Sequence, residues 1–401
     1  MAKMNESFLE LKTNYLFAEI ANRVRAFEEA NPNPELPLIR MGIGDVKLPI
    51  PQMILDAGKK SLDELGVAEA FRGYEDSGRG YLFAREAVAS YYASFGVEIN
   101  ADDVFISDGA KSDTGNIGDL FSPDSVVIIT DPVYPVYDNA SIMRGHRVVR
   151  SNFVTDELPE KADIIYLCSP NNPTGDAYTF EQLKKWVCYA KKVGAVIIYD
   201  SAYEAFIQEP DKCPSSIFEI EGAKECAIEI ASLSKNAGFT GIRAGYTIVH
   251  KELMLEDAKG EKVSLAELWK KRQASKFNGV NYSAQRMIES ALSFEGQQAL
   301  HENIKYYQEN ARIIMDALTE LGIKFTGGVN SPYVWFKCPN TGDSWEFFDF
   351  LLNKVHVVGT PGIGFGANGA GMFRLTAFST RENTTEAMRR FREKIPTVRN
   401  S

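Results

Sequence analysis

The run Ser232-Leu233-Ser234-Lys235-Asn236-Ala237-Gly238-Phe239-Thr240-Gly241-Ile242-Arg243 follows directly on the apolar stretch Ala227-Ile228-Glu229-Ile230-Ala231. That order delivers an amine off the end of a buried strand, with two hydroxyls before it and an arginine after it. An amine so placed suits a Schiff base with an aldehyde, flanked by groups that hold a phosphate. A surface lysine in a glycine-rich loop is the competing reading of the same residues.

Four further groups fall at the ends of strand-like runs, where open α/β sheets place their sites. Ser107-Asp108-Gly109-Ala110-Lys111 opens a helix whose free amides make an anion cradle; an ordinary strand-to-helix turn would look the same. Asp131-Pro132-Val133-Tyr134-Pro135 pins the backbone around Tyr134, either as a face that stacks on a flat heterocycle or as a core ring. Cys168-Ser169-Pro170-Asn171-Asn172-Pro173-Thr174-Gly175 is a rigid turn that presents the Asn172 amide to a ring oxygen. In Tyr199-Asp200-Ser201-Ala202-Tyr203, a carboxylate at a buried strand end needs a partner. A protonated ring nitrogen would satisfy Asp200, and Tyr203 would reach a phenolic oxygen on the same ring; a helix-capping role for Asp200 is the alternative. Taken together, an amine, an acid, ring-oxygen donors, a stacking face and a phosphate cradle are what pyridoxal 5'-phosphate requires.

The elements that must position these groups are short runs rich in β-branched residues at 104–106, 126–129, 147–149, 164–167, 196–199, 227–230 and 246–249. Most are continuous rather than alternating, which predicts strands covered on both faces. Helical stretches such as 179–193 separate several of them. The prediction is α/β: a mostly parallel seven-stranded sheet in a large cofactor-binding domain with a smaller α+β domain. The smaller unit takes a long amphipathic helix over 294–321, strands at 333–336 and 373–376, and helices over 345–354 and 383–395. We expect an N-terminal arm and part of the small domain over 1–48, the large domain over 49–290 and the rest of the small domain over 291–401. The arm reads as a helix from Phe8 to about Val24, followed by the turn-rich connector Pro32-Asn33-Pro34-Glu35-Leu36-Pro37.

Composition narrows the function classes. A net charge of −10 over 401 residues argues against a nucleic-acid partner, so anionic substrates must be caught by local arginines. No apolar run approaches a membrane span, and no secretory signal is visible. The cysteines Cys168, Cys188, Cys213, Cys226 and Cys338 are odd in number and widely spaced, which suits buried reduced thiols and a cytoplasmic setting. The scattered histidines His146, His250, His301 and His356 have no metal-ligand spacing, so no metal is expected. Gly364-Phe365-Gly366-Ala367-Asn368-Gly369 matches a dinucleotide pattern formally, but it leads into a strand and has no βαβ unit after it; it reads as a mobile turn near the substrate.

The chain resembles the aspartate-aminotransferase superfamily of fold type I and, within it, the LL-diaminopimelate aminotransferase family. The likeness runs nearly end to end. It is carried by Asn14-Tyr15-Leu16-Phe17, Gly42-Ile43-Gly44-Asp45, Asp108-Gly109-Ala110-Lys111, Ser216-Ile217-Phe218-Glu219-Ile220, Phe277-Asn278-Gly279 and Pro361-Gly362-Ile363-Gly364-Phe365-Gly366. The resemblance implies a homodimer with shared active sites acting on amino acids and 2-oxo acids. It implies Lys235 as the Schiff-base lysine and catalytic roles for Asp200 and Tyr203. Ala110, Lys111, Ser232, Ser234 and Arg243 would surround the phosphate. Tyr134 would stack, Asn172 would contact the ring oxygen, and Tyr74 and Asn278 would act across the subunit interface. Tyr15, Gly42, Lys111, Tyr134, Asn172 and Asn278 would line the substrate pocket, and Arg374 would pair with the α-carboxylate. One departure stands out. The loop Glu75-Asp76-Ser77-Gly78-Arg79-Gly80 after Tyr74 is one residue longer than the family's, so either Glu75 or Asp76 could reach the distal ammonium, and an aminotransferase of aspartate, aromatic or other specificity stays open. A lyase or racemase on the same scaffold, and a non-catalytic cofactor sensor, are the more distant alternatives.

Overall fold

The computed structural model describes residues 2–11, 16–33, 36–75, 77–154, 157–339 and 341–397. Tyr15, Asp76 and the Pro34-Glu35 part of the connector therefore lie outside the described residues.

Seven of the described strands make one sheet: β1 (Val104–Ser107), β2 (Val126–Ile129), β3 (Arg147–Arg150), β4 (Ile164–Cys168), β5 (Val196–Asp200), β6 (Ala227–Ser232) and β7 (Gly245–Val249). Their order is β1-β7-β6-β5-β4-β2-β3. Strands β2 to β6 run parallel, and β7 is antiparallel to both β6 and β1. All seven expected runs are strands. Their continuous apolarity has a direct cause in β4. Ile165 and Leu167 join the core on one face with Trp186, while Ile164, Tyr166 and Cys168 join the core on the other with Trp269. Side chains alternate across a strand, so a strand with both faces covered has no position left for a polar residue to reach water. Each fully buried aliphatic side chain contributes roughly 1.5–3 kcal/mol.

The helix Phe180–Val193 packs on one face. It starts at Thr179 through a reciprocal cap with Gln182 and stops at Gly194. A second core is built from Leu16 to Met41 and from Ile304 to Ile395, around a four-stranded antiparallel sheet ordered Phe325–Gly327, Tyr333–Lys337, Met372–Thr376, Thr360–Pro361. The helix Phe294–Glu320 runs along it, as the amphipathic pattern predicts.

The arm differs from its sequence reading. A short 3-10 turn, Glu6–Glu10, is separate from the α-helix Leu16–Ala30. Phe8 and Leu9 are exposed, whereas Leu16, Ile20, Val24 and Phe27 make the i, i+4, i+8, i+11 stripe that enters the second core. The 345–354 helix is also interrupted: Ser344–Phe350 is α-helical and Leu351–Val355 widens to a π turn before His356 takes a left-handed conformation. Ile39–Arg40, a strand with no sequence signal of its own, pairs in parallel with Val357–Val358 and brings the next residues against the small sheet. Cys188 is exposed, correcting the expectation of wholly buried thiols; the other four are buried and none is paired. No described helix is long and apolar enough to cross a membrane.

Candidate active site

The carboxyl ends of β4, β5 and β6 meet the loop after β1 and the small sheet at a cleft of about 350 Å³. The sequence-predicted residues Ala110, Lys111, Tyr134, Asn172, Asp200, Tyr203, Ser232, Ser234, Lys235, Arg243 and Arg374 all line it. Strands of one parallel sheet end on one edge, so residues far apart in the chain converge without any loop having to reach.

Lys235 sits on the one-turn helix Leu233–Asn236, whose start is capped by Ser232 accepting from the Ser234 amide at 3.2 Å. Its Nζ donates to the Gly44 carbonyl. Burial pulls the amine down to about 8; Asp45 opposes that shift, while Arg374 and Arg243 add to it. A lysine in this state keeps a sizeable neutral fraction near neutral pH, which nucleophilic addition to an aldehyde needs.

Asp200 closes β5 and is buried. Its Oδ2 accepts from the Tyr137 hydroxyl at 2.6 Å and its Oδ1 from the Ala202 amide at 3.1 Å. Burial pushes its pKa up, and the two donors pull it back. Among the described residues no basic side chain lies within ion-pair distance of it, so a cationic ring nitrogen in the cleft would be its natural counter-charge. Tyr137 is held by a parallel stack on Tyr166, with centroids 5.0 Å apart.

At the other end, Arg243 has φ 65 and donates to the Ser234 Oγ at 3.4 Å. Gly109, with φ 124, approaches so closely that a Cβ there would stand 3.1 Å from Arg243 Nη2 and 3.7 Å from Ser232 Oγ. Space of this kind, walled by a guanidinium and hydroxyls, fits a phosphate, and a methyl group would narrow it. The donor set therefore matches pyridoxal 5'-phosphate at both ends.

Arg374 is the least expected object in energetic terms. It is 1% exposed, yet among the described residues no carboxylate pairs with it. Its Nη2 donates to the Gly42 carbonyl at 2.6 Å, its Nη1 to Asn172 Oδ1, and Nε has no partner. Tyr333 and Phe365 cover its faces at 4.3 and 4.8 Å. Burial pulls its pKa down. Because Arg374 claims the Asn172 oxygen, the amide must turn its NH2 the other way, the donor orientation the sequence reading required. Gly42 is brought to Arg374 by the Ile39–Arg40 strand, through Thr376 N donating to Met41 O at 2.9 Å.

Tyr203 and Tyr333 share a hydroxyl contact of 2.8 Å, and burial with the neighbouring Tyr333 raises Tyr203 well above the usual phenol range. Tyr74 is 84% exposed and Asn278, with φ 65, is exposed too; neither lines the cleft of its own chain. Glu75 turns inward on its own loop, accepting from the Ser77 amide at 2.8 Å and the Gly80 amide at 3.2 Å. Sequence reasoning missed Tyr137, Tyr333 and Asp45. It also missed Glu229, fully buried in β6, which accepts from Tyr92, Ser201, Ser216 and the Ile217 amide and so ties the residue after Asp200 to the strand that delivers Lys235. A glutamate inside an apolar strand run was the available signal.

A strand-end lysine, a buried acid, an anion cradle and a buried guanidinium on this fold define an aminotransferase site, and the family model described as aminotransferase class I and II matches residues 37–391: the chain belongs to that family. The narrower likeness is equally plain. LL-diaminopimelate aminotransferases of Lachnospira eligens and Methanosphaera stadtmanae are each 49% identical to this chain, over 98% and 97% of it and 100% and 98% of their own lengths. The solved structure of L,L-diaminopimelate aminotransferase from Chlamydomonas reinhardtii is 40% identical and superposes with a TM-score of 0.89 over 98% of each chain. An aspartate aminotransferase mutant from Thermus thermophilus, 19% identical with a TM-score of 0.83 over 98% of this chain and 100% of its own, shares the fold.

Proposed function

We propose that the cleft binds pyridoxal 5'-phosphate through Lys235 and that the enzyme moves an amino group between LL-2,6-diaminopimelate and 2-oxoglutarate, giving tetrahydrodipicolinate and glutamate. When bound, that cofactor supplies an aldehyde for the substrate amine and a cationic ring that draws electrons from Cα. Asp200, backed by Tyr137, holds the proton on the ring nitrogen. Ala110, Lys111, Ser232, Ser234 and Arg243 bind the phosphate, Tyr134 covers the ring, and Asn172 and Tyr203 donate to its oxygen. Arg374 takes the α-carboxylate of either substrate. Lys235 would serve as the base that takes and returns the proton at the substrate Cα. Tyr15, Gly42, Lys111, Tyr134, Asn172 and Asn278 belong to the substrate pocket. In a homodimer, Tyr74 and Asn278 complete the cleft of the second copy. We assign the division at residues 48 and 290, and a cytoplasmic location, to the same reading.

The single observation that carries the chemistry is Arg374, a buried guanidinium lacking a carboxylate beside a lysine of lowered pKa. Near full-length identity of 47–49% to LL-diaminopimelate aminotransferases supports the substrate. A second reading, another amino-acid specificity, draws on Glu75, whose carboxylate is engaged by its own loop amides rather than turned outward. Steady-state rates with LL-diaminopimelate, aspartate and phenylalanine as donors to 2-oxoglutarate separate the two. LL-diaminopimelate should lead by about 100-fold or more in kcat/KM, some 2.8 kcal/mol; a lead for aspartate or phenylalanine contradicts the assignment.

A further inference from the structure

The motif Gly364-Phe365-Gly366-Ala367-Asn368-Gly369 has no part in the roles above. It forms two 3-10 turns, Gly362–Phe365 and Ala367–Gly369, ahead of the strand that carries Arg374. Asp131 ends the run out of β2, immediately before the segment that presents Tyr134. These two pieces belong to different sheets, and they are bonded at three points. The Asn368 amide donates to Asp131 Oδ1 at 3.2 Å, the Asn368 side-chain NH2 donates to the Asp131 carbonyl at 3.2 Å, and the Val133 amide donates to the Phe365 carbonyl at 3.0 Å. Asn152 grips Asp131 from the other side, accepting from its amide at 2.6 Å and donating to its carbonyl.

The fit is close. Asp131 is buried, and among the described residues no lysine or arginine pairs with it. A Cβ on Gly366, which has φ 136, would stand 2.0 Å from Asp131 Oδ1. Phe365, next in line, lies 4.8 Å over the Arg374 guanidinium and edge-on to Trp335 at 6.0 Å. A buried carboxylate without a cation is costly to keep unless its hydrogen bonds are themselves needed.

We propose that Asp131 is a positioning residue. Through Asn368, Gly366 and Phe365 it fixes the distance between the ring face offered by Tyr134 and the carboxylate fork of Arg374, and so sets how well a bound α-carboxylate is aligned with the cofactor. This rests on Arg374 binding that carboxylate.

The test uses the full-length holoenzyme with Asp131→Ala, Asp131→Asn and Asn368→Ala. It measures KM and kcat for the amino donor and for 2-oxoglutarate, together with hydrogen exchange of residues 362–371 followed by mass spectrometry. Asp131→Ala should raise both KM values at least tenfold, change kcat less than threefold, and speed exchange of that turn at least tenfold. Asp131→Asn keeps an acceptor oxygen and should stay within threefold of the parent. Asn368→Ala, at an exposed position, folds in any case and should raise KM about threefold. Unchanged KM, or unchanged exchange, in both Asp131→Ala and Asn368→Ala overturns the proposal. Arg374→Ala measured alongside separates the two ideas. If that variant raises KM and Asp131→Ala does not, the latch alone is wrong. If Arg374→Ala leaves KM untouched, the carboxylate reading beneath it fails.

Discussion

Replacing Arg374 by alanine removes the guanidinium that the small sheet offers to the cleft. The guanidinium is 1% exposed and meets Gly42, Asn172 and Thr360 by hydrogen bonds, two of its faces being covered by Tyr333 and Phe365. A carboxylate entering that space without it would be desolvated and unpaired. Truncating one member of a buried charge pair costs about 2–5 kcal/mol, which is about 30-fold to 4,000-fold in kcat/KM. Arg374→Lys keeps the charge but not the planar fork, so it should recover part of the loss and remain at least tenfold impaired. The assay is steady-state kinetics at saturating cofactor for both substrates, with cofactor affinity measured separately by absorbance titration. Cofactor affinity should change less than threefold. A loss in kcat/KM below fivefold for the alanine variant, or an equal loss in cofactor affinity, would show that Arg374 is a structural residue and refute the reasoning.

Other perturbations probe the remaining parts. If Lys235 bonds the cofactor as proposed, loading onto apoenzyme needs its neutral amine; burial pulls its pKa down to about 8, which leaves about a tenth neutral at pH 7, against about 0.03% for an ordinary lysine. Loading rates should therefore climb about tenfold per pH unit and level off above pH 8; a limb still rising at pH 10 contradicts this. Gly109→Ala should weaken binding of the phosphorylated cofactor at least tenfold in an absorbance titration, because the new methyl enters the space beside Arg243 and the backbone conformation is strained. Burial raises Glu204 to about 8 and Glu229 to about 7. Both hold a proton more tightly folded than unfolded, so their contribution is present below about pH 4.5 and is lost as pH rises through 7 and 8, on the order of a few kcal/mol each and larger for Glu204. Thermal melts from pH 5 to 9 should show stability falling with pH, and Glu204→Gln should flatten about half of that slope; an unchanged slope removes Glu204 from the account.

How much of this was legible in the sequence follows from what each residue contacts. The strands β2, β4 and β5 were readable because burial on both faces leaves near-continuous apolar runs such as Ile164-Ile165-Tyr166-Leu167, and β6 was readable despite Glu229, whose carboxylate is satisfied inside the core. Residues at their ends, Asn172, Asp200 and Lys235, were readable because chemistry-bearing types interrupt the chain where apolarity stops. Tyr137 was not, since it lies on a helix one turn past Tyr134 and looks like any core aromatic; only its 2.6 Å bond to Asp200 gives it a role. Tyr333 was hidden in the same way inside Tyr-Val-Trp-Phe. The Ile39–Arg40 strand is two residues long and exists only because Val357–Val358 is there to pair with it, a contact no local pattern encodes. Asp131 looked like a turn residue before proline, and its bonds to Asn368 cross 237 positions. The arm shows the converse: Glu6–Glu10 ends in an extended Leu11 with Phe8 and Leu9 exposed, so reading one helix from Phe8 overextended the element.

The central claim, a covalent bond between Lys235 and the cofactor aldehyde, is tested most directly by borohydride reduction of the holoenzyme followed by peptide mass mapping. One stable pyridoxyl phosphate adduct is expected on the peptide containing Lys235, and its absence, with loss of visible colour, in Lys235→Ala. An adduct on a different lysine, or a coloured and active Lys235→Ala enzyme, would contradict it.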